Sequence, residues 1–478
     1  MKTFKLAGAL LGALILVGSL AGAALAHAAK HGTAAVRTVA TIPTTLPGVN
    51  STSCFWGQSY TEETRDIIWP DSHTDYPVSI DTLPAGGKIV LHGEFPHARF
   101  FSLTTSSTLG VIRGHLYDVD IKPDAGSTNP FLPGANRNAT NRSYTVTVVD
   151  APDPGPGLEA PNTLYGGVAG QAPGTGPMLI VERVYLPDAG RDFSGGVGDP
   201  TASYVAADGT VSSGSAACAT LQTKAGASSL TDVNKLVFPL ATYNALLASN
   251  PSPEAPAVDP TVWYKYFSPA WMEAPYLAGT PQASQIAALP TTGTGLGANP
   301  ANGYVFAWLN RAFGPNHNDH NIAVLHGELP TTPATYAGEA TMPTAATQLR
   351  YWSMCNNEGA TSGKTTGPCL ADEQVPINAK RMFTIVVSLP QDRPSNATAR
   401  CGVAWMNFGT TGDGYTKPLS TLLIMRNLST TATPPFKSAV QNVASPSSIA
   451  STMGKYLPAV TYSDKAQFDK TGCTPSTR

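Results

Sequence analysis

The chain has 478 residues, a length that suits two domains of ordinary size better than one. Charged residues make up only 13% of it, against a usual share of roughly 25%. The 30 basic and 32 acidic residues nearly cancel, which excludes the basic field that nucleic-acid binding requires.

The N-terminus has the three parts of a secretory signal peptide. Lys2 and Lys5 precede an uncharged run over residues 6–26, and small residues end that run at 24–26 or 26–28. A retained membrane anchor is the alternative, because 21 uncharged residues can span a bilayer. The run is rich in Gly and Ala and hence weakly hydrophobic, which favours cleavage. We therefore predict a signal peptide over residues 1–26, no membrane span after cleavage, and a secreted or cell-envelope protein.

The six cysteines fit an oxidising compartment. Their spacing contains no C-x-x-C motif, which excludes zinc-ribbon, thioredoxin-type and haem-attachment sites. An even number predicts three disulfides, although six cysteines allow 15 connectivities. The preferred pairing keeps each bridge within one half of the chain: Cys54–Cys218, Cys355–Cys369 and Cys401–Cys473.

The sequence resembles itself. Residues 90–96 read VLHGEFP and residues 324–330 read VLHGELP, so that six of seven positions are identical. Three further pairs of similar blocks follow in the same order: 99–102 with 350–353, 144–149 with 383–387, and 178–183 with 422–426. Four blocks in one order predict duplication of a domain, and two copies are too few for a solenoid.

Each block reads as a β-strand, because it is short, rich in β-branched and aromatic residues and bounded by turn residues. We predict an all-β protein of two tandem β-sandwich or jelly-roll-like domains with an irregular, partly helical connector. The predicted segments are the signal peptide at 1–26, an N-terminal linker at 27–50, domain 1 at 51–220, an aromatic and Pro-rich connector at 221–305 and domain 2 at 306–478.

Arginines recur in the repeated blocks: Arg99 and Arg183 in the first half, Arg350 and Arg426 in the second. Strand alternation places each on a face with apolar residues, where a guanidinium needs a carboxylate or carbonyl partner. One interpretation is a pocket that binds an anionic or carbonyl ligand. The other is a structural pair within each half, with Glu94 or Asp118 in the first and Glu328 or Asp372 in the second.

Two histidines, His92 and His326, lie in the repeated VLHGE block. A His-x-Glu pair on one strand face can serve acid–base chemistry or metal binding. A hydrogen-bonded imidazole at a strand end is the alternative interpretation.

Asp118, Asp120 and Asp124 begin an oxygen-rich run that can be interpreted as a Ca²⁺ site, although its spacing differs from an EF-hand and matches ordinary turn composition. No other cofactor is predicted. In the connector, an aromatic cluster that includes Trp263 and Trp271 is either a sugar-stacking platform or a strap that is buried over a sheet edge or between the two domains.

Five stretches resemble a family of uncharacterised secreted bacterial proteins: DIKPDAGSTNPF (120–131), YLPDAGRD (185–192), GELPTTP (327–333), RYWSMC (350–355) and MGKYLP (453–458). The pattern of blocks is also distantly similar to a widespread bacterial domain of unknown function with a jelly-roll-like fold. The resemblance implies export and β architecture. It brings no activity and no catalytic residue.

No nucleophile elbow, zinc-binding helix or phosphate loop occurs in the sequence. The leading hypothesis is therefore a non-catalytic extracellular or envelope protein that binds a ligand or a surface component. The alternatives are a hydrolase that acts on an extracellular polymer through a carboxylate or metal site, and a purely structural surface protein.

Overall fold

Four β-sheets contain most of the strands in the described part of the computed structural model. It describes residues 39–43, 53–57, 59, 61–62, 66–108, 110–225, 240, 244, 257–265, 298–315, 321–338, 342, 346–359, 362–430 and 433–473. The predicted signal peptide, most of the N-terminal linker, most of the connector and Trp271 lie outside these residues. By contacts between residues, 36–478 group as a single compact unit. The predicted division into two domains stays a prediction.

The first half of the chain builds two sheets. Their strands are β1 (Thr74–Asp75), β2 (Val78–Asp81), β3 (Lys88–Glu94), β4 (Ala98–Ser106), β5 (Ile112–Tyr117), β6 (Ser143–Val149), β7 (Thr163–Tyr165), β8 (Met178–Pro187), β9 (Thr201–Val205), β10 (Val211–Ser213) and β11 (Lys224–Ala225). Sheet I has the order β11-β2-β8-β4-β5, with β1 also paired to β8, and sheet II has the order β10-β9-β3-β6-β7.

The second half builds two more sheets. Their strands are β12 (Trp263–Lys265), β13 (Asn302–Asn310), β14 (Asn321–Glu328), β15 (Tyr351–Asn357), β16 (Leu370–Ala371), β17 (Met382–Ser388), β18 (Ala404–Asn407), β19 (Ser420–Leu428) and β20 (Ala459–Asp464). Sheet III has the order β12-β13-β19-β15-β16, and sheet IV has the order β18-β17-β14-β20. The all-β prediction is confirmed.

Helices are short. The α-helices include α1 (Gly214–Leu221), α2 (Ile449–Met453) and α3 (Lys465–Asp469), and single 3-10 turns include Arg311–Phe313, Asp372–Gln374, Pro390–Asp392, Ala399–Cys401, Val440–Asn442, Pro446–Ser448 and Gly454–Tyr456. Among the described residues, no helix combines the length and the apolar character that crossing a bilayer requires.

Each pair of sheets encloses its own apolar core. Ile89 and Leu91 of sheet II pack with Leu103 and Ile180 of sheet I, while Leu325 of sheet IV packs with Val305 and Leu423 of sheet III. The alternation of buried and exposed residues along β3 and β6 shows why these sequences form half-buried strands. β4, β8, β15 and β19 are buried along their whole length, so both of their faces are covered.

The strands that contain the eight repeated blocks pair in the same register in the two halves. His92 lies opposite Thr145 as His326 lies opposite Thr384, and Ser102 lies opposite Arg183 as Ser353 lies opposite Arg426. A parallel pair closes one edge of sheet II and of sheet IV alike. We call two residues, one from each half, matched positions when they occupy the same place in this strand register.

All three predicted disulfides are present: Cys54–Cys218, Cys355–Cys369 and Cys401–Cys473. The first ties the segment with Phe55 and Trp56 to α1, and both rings are buried in the core of the first half. All six cysteines of the sequence are thus paired.

Candidate functional site

Two of the four repeated arginines, Arg99 and Arg350, bind carboxylates. Arg99 is fully buried and donates to both carboxylate oxygens of Asp372 (3.2 and 3.0 Å), to Glu373 and to Thr335 Oγ1 (2.6 Å). Arg350 is also fully buried and donates to Asp118 Oδ2 at 2.8 Å. The carboxylate partner of each arginine therefore comes from the other half of the chain.

The two aspartates complete a symmetric arrangement. Asp118 accepts a hydrogen bond from the backbone N–H of Phe101 (3.0 Å), and Asp372 accepts one from the backbone N–H of Trp352 (3.1 Å). Phe101 and Trp352 each follow a repeated arginine by two residues. These contacts fully satisfy both carboxylates in the seam between the halves and favour the structural interpretation of Arg99 and Arg350.

The other two arginines lie on the second buried face of their sheets. Arg183 donates to Thr104 Oγ1 (2.6 Å), and Arg426 donates to the carbonyl oxygen of Trp69 (2.6 Å) and lies 3.8 Å from Asp71. Because β8 and β19 are buried on both faces, alternation alone places apolar residues on either side of them. The sequence therefore could not indicate which face of the strand points into the core between the two sheets of its half.

Both histidines of the repeated block make the same contact. His92 Nδ1 lies 3.2 Å from Thr145 Oγ1, and His326 Nδ1 lies 3.1 Å from Thr384 Oγ1. Burial lowers the pKa of His326. Glu328 lies 2.7 Å from Lys455 Nζ. These contacts match the strand-end interpretation of the two histidines.

The three aspartates proposed for Ca²⁺ point in different directions. Asp118 binds Arg350, Asp120 is exposed, and Asp124 lies 3.6 Å from His92 Nδ1. Among the described residues, one group of three possible metal ligands has all its ligand atoms within 4.8 Å of one another. It consists of Asp71, Cys355 and Cys369. The two sulfurs of that group form a disulfide. The Ca²⁺ site stays a prediction.

Trp263 is buried at the edge of sheet III, and its indole N–H donates to the carbonyl oxygen of Pro458 at 3.0 Å. It belongs to the core of the second half, as the packing interpretation of the aromatic cluster expects. Tyr264 stacks on Phe306, with ring centroids 5.5 Å apart.

A different cluster, which the sequence analysis missed, lies in the first half of the chain. Glu182 follows Ile180 on the face of β8 that points into the core of the first half, and it is 4% exposed. Asp75 lies opposite Val184 in the adjacent strand β1 and is 1% exposed. Together with Asp192 and Asp199, which are partly exposed, they form what we call the acidic cluster.

The pKa values of two carboxyl groups in the acidic cluster are raised. Burial, then the charges of Asp199 and Asp75, raise the pKa of Glu182 well above its usual range. Burial also raises the pKa of Asp75 to about 7, opposed by a hydrogen bond from Ser59 and reinforced by Asp199 and Asp192. Among the described residues, none hydrogen-bonds to Glu182 Oε2 or to Asp75 Oδ2.

Tyr144 brings a buried hydroxyl to the same place. Its ring crosses over Gly93, where an added Cβ would lie 2.8 Å from the hydroxyl oxygen and 3.0 Å from Cβ of Pro200. Among the described residues, none hydrogen-bonds to this hydroxyl, although the residue is completely buried. Burial, then Glu182 and Asp199, raise its pKa well above the usual range. The charges of Glu182 and Asp199 thus act on this hydroxyl.

The matched positions in the second half are apolar. The partner of Leu103 across the sheet is Glu182, whereas the partner of Met354 is Met425. The residue opposite Gly93 is Tyr144, whereas the residue opposite Gly327 is Phe383. Met425 and Phe383 lie within the core of the second half. The shared strand register therefore does not need polar side chains at these positions.

Comparison with known proteins brings no activity to the chain. No protein-family model matches it, and no curated protein matches its sequence. An uncharacterised protein from Burkholderia cenocepacia is similar in structure, with 12% identity over 85% of this chain and 81% of that chain and a TM-score of 0.40. The B domain of a biofilm-associated protein covers 80% of this chain and 74% of its own, with 9% identity and a TM-score of 0.16.

Proposed function

We propose that this chain is an exported, non-catalytic binding protein and that Glu182, Asp75 and Tyr144 form the buried end of its ligand site. The predicted signal peptide and the three disulfides support export, since disulfides persist in oxidising compartments. The ligand is a component of the extracellular medium or of a cell surface.

The observation that carries the proposal is the difference between matched positions. Features present in both halves, such as the seam arginines and the His–Thr pairs, serve the fold that the halves share. Glu182 and Tyr144 occur in one half only, at positions where Met425 and Phe383 build an ordinary core. A buried polar group without a hydrogen-bond partner costs roughly 1–3 kcal/mol, so its presence calls for a compensating role.

A bound ligand can provide that compensation. Glu182 and Asp75 each have a buried oxygen that is able to accept a hydrogen bond, and Tyr144 has a hydroxyl able to donate one. Asp192 and Asp199, whose charges act on Asp75, are partly exposed to solvent. Buried polar groups that converge in this way are typical of ligand sites.

A hydrolase that acts on an extracellular polymer is the second candidate. A carboxyl group with a raised pKa is suited to act as a general acid, and burial raises the pKa of Glu182 and of Asp75. Release of product from a glycan or an ester substrate, abolished by Glu182→Gln, would favour this function over simple binding.

Thermal unfolding of the mature protein tests the proposal. The panel consists of Ca²⁺, Zn²⁺, EDTA, amines, small carboxylates, and cell-wall and plant glycans. A ligand at about 100 times its dissociation constant adds roughly 2.7 kcal/mol to the stability of the native state. We expect one class to raise the unfolding temperature of the wild type and not of Glu182→Gln. If no class did so, a purely structural role would replace the proposed one.

A further inference from the structure

The disulfide Cys355–Cys369 closes a loop that binds a segment of the first half of the chain. We call residues 355–369 the disulfide loop and residues 66–72, which precede β1, the docking segment. The backbone N–H of Cys369 donates to Ser72 Oγ at 2.5 Å, and the backbone N–H of Ser72 donates to Cys369 Sγ at 3.4 Å. One end of the bridge is therefore in direct contact with the docking segment.

Residues between the two cysteines continue this contact. The hydroxyl of Thr365 donates to the carbonyl oxygen of Pro70 (2.9 Å), and its backbone N–H donates to Asp66 Oδ1 (2.9 Å). The indole N–H of Trp69 donates to the carbonyl oxygen of Glu358 at 3.1 Å. These bonds involve several points of the disulfide loop, so the docking segment fits it only while the loop keeps this shape.

Arg426 links the bridge to the docking segment a second time. Its guanidinium donates to Cys355 Sγ at 2.7 Å and to the carbonyl oxygen of Trp69 at 2.6 Å. Cys355 and Thr104 are matched positions, and Arg183 donates to Thr104 Oγ1 at 2.6 Å in the same way. Because a hydroxyl is sufficient for the arginine of the first half, this contact alone does not explain a cysteine in the second.

Both sulfurs lie out of reach of solvent, since Cys355 and Cys369 are 0% exposed. A reductant therefore reaches them only after neighbouring residues, the docking segment among them, have moved away. A bridge across 14 residues also removes many alternative conformations of the loop. We infer that this bridge is a redox latch. It fixes the disulfide loop in the shape that binds the docking segment, and its reduction by a dithiol loosens the contact between the two halves.

Reduction of the bridge is a thiol–disulfide exchange with the dithiol. One thiolate of the dithiol attacks Cys369 Sγ, the S–S bond breaks, and Cys355 leaves as a thiolate that Arg426 stabilises. The second thiol then loses its proton and attacks the mixed disulfide, which releases Cys369 with that proton and leaves the reductant as a disulfide. Two electrons thus pass from the dithiol to the bridge. Given the export proposed above, the latch is open in a compartment rich in thiols and closes outside it.

Hydrogen exchange of the docking segment in the folded protein measures the latch. In the double variant Cys355→Ala with Cys369→Ala, we expect the backbone amides of residues 66–72 to exchange at least about tenfold faster than in the wild type, because closing a loop of this length has an effect at least that large. Cys401→Ala with Cys473→Ala is the control, since that bridge joins two segments of the second half. The control should leave exchange of the docking segment unchanged.

Ser72→Ala gives the reciprocal test with all six cysteines in place. If the bridge strengthens docking, then docking must protect the bridge by the same factor. Loss of the hydrogen bond from Cys369 to Ser72 Oγ should let dithiothreitol reduce the Cys355–Cys369 bridge about fivefold faster than in the wild type. Reduction of Cys401–Cys473 in the same molecules should keep its rate. Thiol alkylation and mass spectrometry follow each bridge separately.

Equal exchange of the docking segment in the wild type and in the variant without Cys355 and Cys369 would overturn the inference and leave the bridge as a staple within the second half. If that variant did not fold, the reduction rates decide. Selective acceleration of Cys355–Cys369 in Ser72→Ala would support the latch, whereas an unchanged rate, or equal acceleration of both bridges, would overturn it.

Discussion

Arg99 and Arg350 each donate a hydrogen bond to the main-chain carbonyl oxygen of the other, at 3.2 Å from Arg99 and 2.9 Å from Arg350. Arg99 also binds Asp372, which accepts a hydrogen bond from the strand that follows Arg350. Arg350 likewise binds Asp118, which accepts a hydrogen bond from the strand of Arg99. The contact is self-complementary, as an isologous dimer interface is, although both surfaces belong to one chain. Arg99 and Arg350 therefore join the two halves of the chain.

Removal of either seam arginine should destabilise the protein strongly. Arg99→Ala leaves Asp372 and Glu373 buried without their cation, and Arg350→Ala does the same to Asp118. We expect each variant to lose about 3–5 kcal/mol in the free energy of unfolding, measured by denaturant titration. Arg400→Ala is the control, because Arg400 is exposed and should change stability by less than about 0.5 kcal/mol. Seam variants as stable as the wild type would contradict the structural role.

Reciprocal substitutions test the contrast between the halves. Glu182→Met removes a buried carboxyl that has an unsatisfied oxygen, so stability should rise by about 1–3 kcal/mol. Met425→Glu places a carboxyl in an apolar core and should lower stability by several kcal/mol. Chemical unfolding of both variants gives the two changes. Equal losses would show that Glu182 is a structural residue.

The raised carboxyl pKa values predict a stability that falls as pH increases. Folding raises the pKa of Asp75 from 3.8 to about 7, so between these values the folded protein holds a proton that the unfolded chain releases. Its contribution is fully present below about pH 4 and is lost as pH rises through 7. Asp66 and Asp81 act in the same direction, with pKa values raised by burial to about 7 and about 6.

Asp75→Asn isolates one of these groups. Between pH 4 and pH 7, the unfolding free energy of the wild type should fall relative to that of the variant. The fall should be roughly 1.4 kcal/mol for each unit of pKa shift. Unfolding curves at pH 4, 5.5 and 7 measure it. A difference that stays constant with pH would mean that Asp75 is not protonated in the folded state.

The three disulfides should leave no free thiol and should stabilise the folded chain. Denatured, unreduced protein should react with no alkylating reagent, because all six cysteines are paired. Replacing Cys401 and Cys473 with alanine opens a loop of 72 residues and should cost about 2–5 kcal/mol. A free thiol detected by mass spectrometry would contradict the pairing.

The signal-peptide prediction concerns residues outside the described part of the chain and has its own test. Cleavage at the small-residue patterns would give a mature N-terminus near His27 or Ala29. Intact mass of the exported protein determines it. Retention of Met1 would favour the membrane-anchor alternative.

The sequence predicted the strands well because their signal is local. Each of the eight repeated blocks overlaps a strand, and composition alone marked their turns. The preferred disulfide pairing, which keeps each bridge within one half of the chain, is confirmed. The sequence also offered Asp118 and Asp372 as arginine partners. It could not tell that the partners are exchanged, since a duplicated motif has the same local pattern whether it pairs within or between copies.

The acidic cluster was beyond prediction for a different reason. Glu182 follows four apolar residues on a strand buried on both faces, so alternation does not show which face it occupies. Asp75, Asp192 and Asp199 come from segments outside the repeated blocks, and only the folded chain brings them near Glu182. One signal was available: the blocks around Arg183 and Arg426 differ by Glu against Met immediately before the arginine.

The double variant Glu182→Met with Tyr144→Phe tests the central claim most directly. It gives these two positions of the first half the residue types found at the matched positions of the second half. Thermal unfolding of this variant and of the wild type, each with and without the panel ligands, is the measurement. The account predicts a variant at least as stable as the wild type without ligand that no longer responds to the ligand that stabilises the wild type. A variant that unfolds more easily, or one that keeps the full response, would show that Glu182 and Tyr144 belong to the fold and that the ligand binds elsewhere.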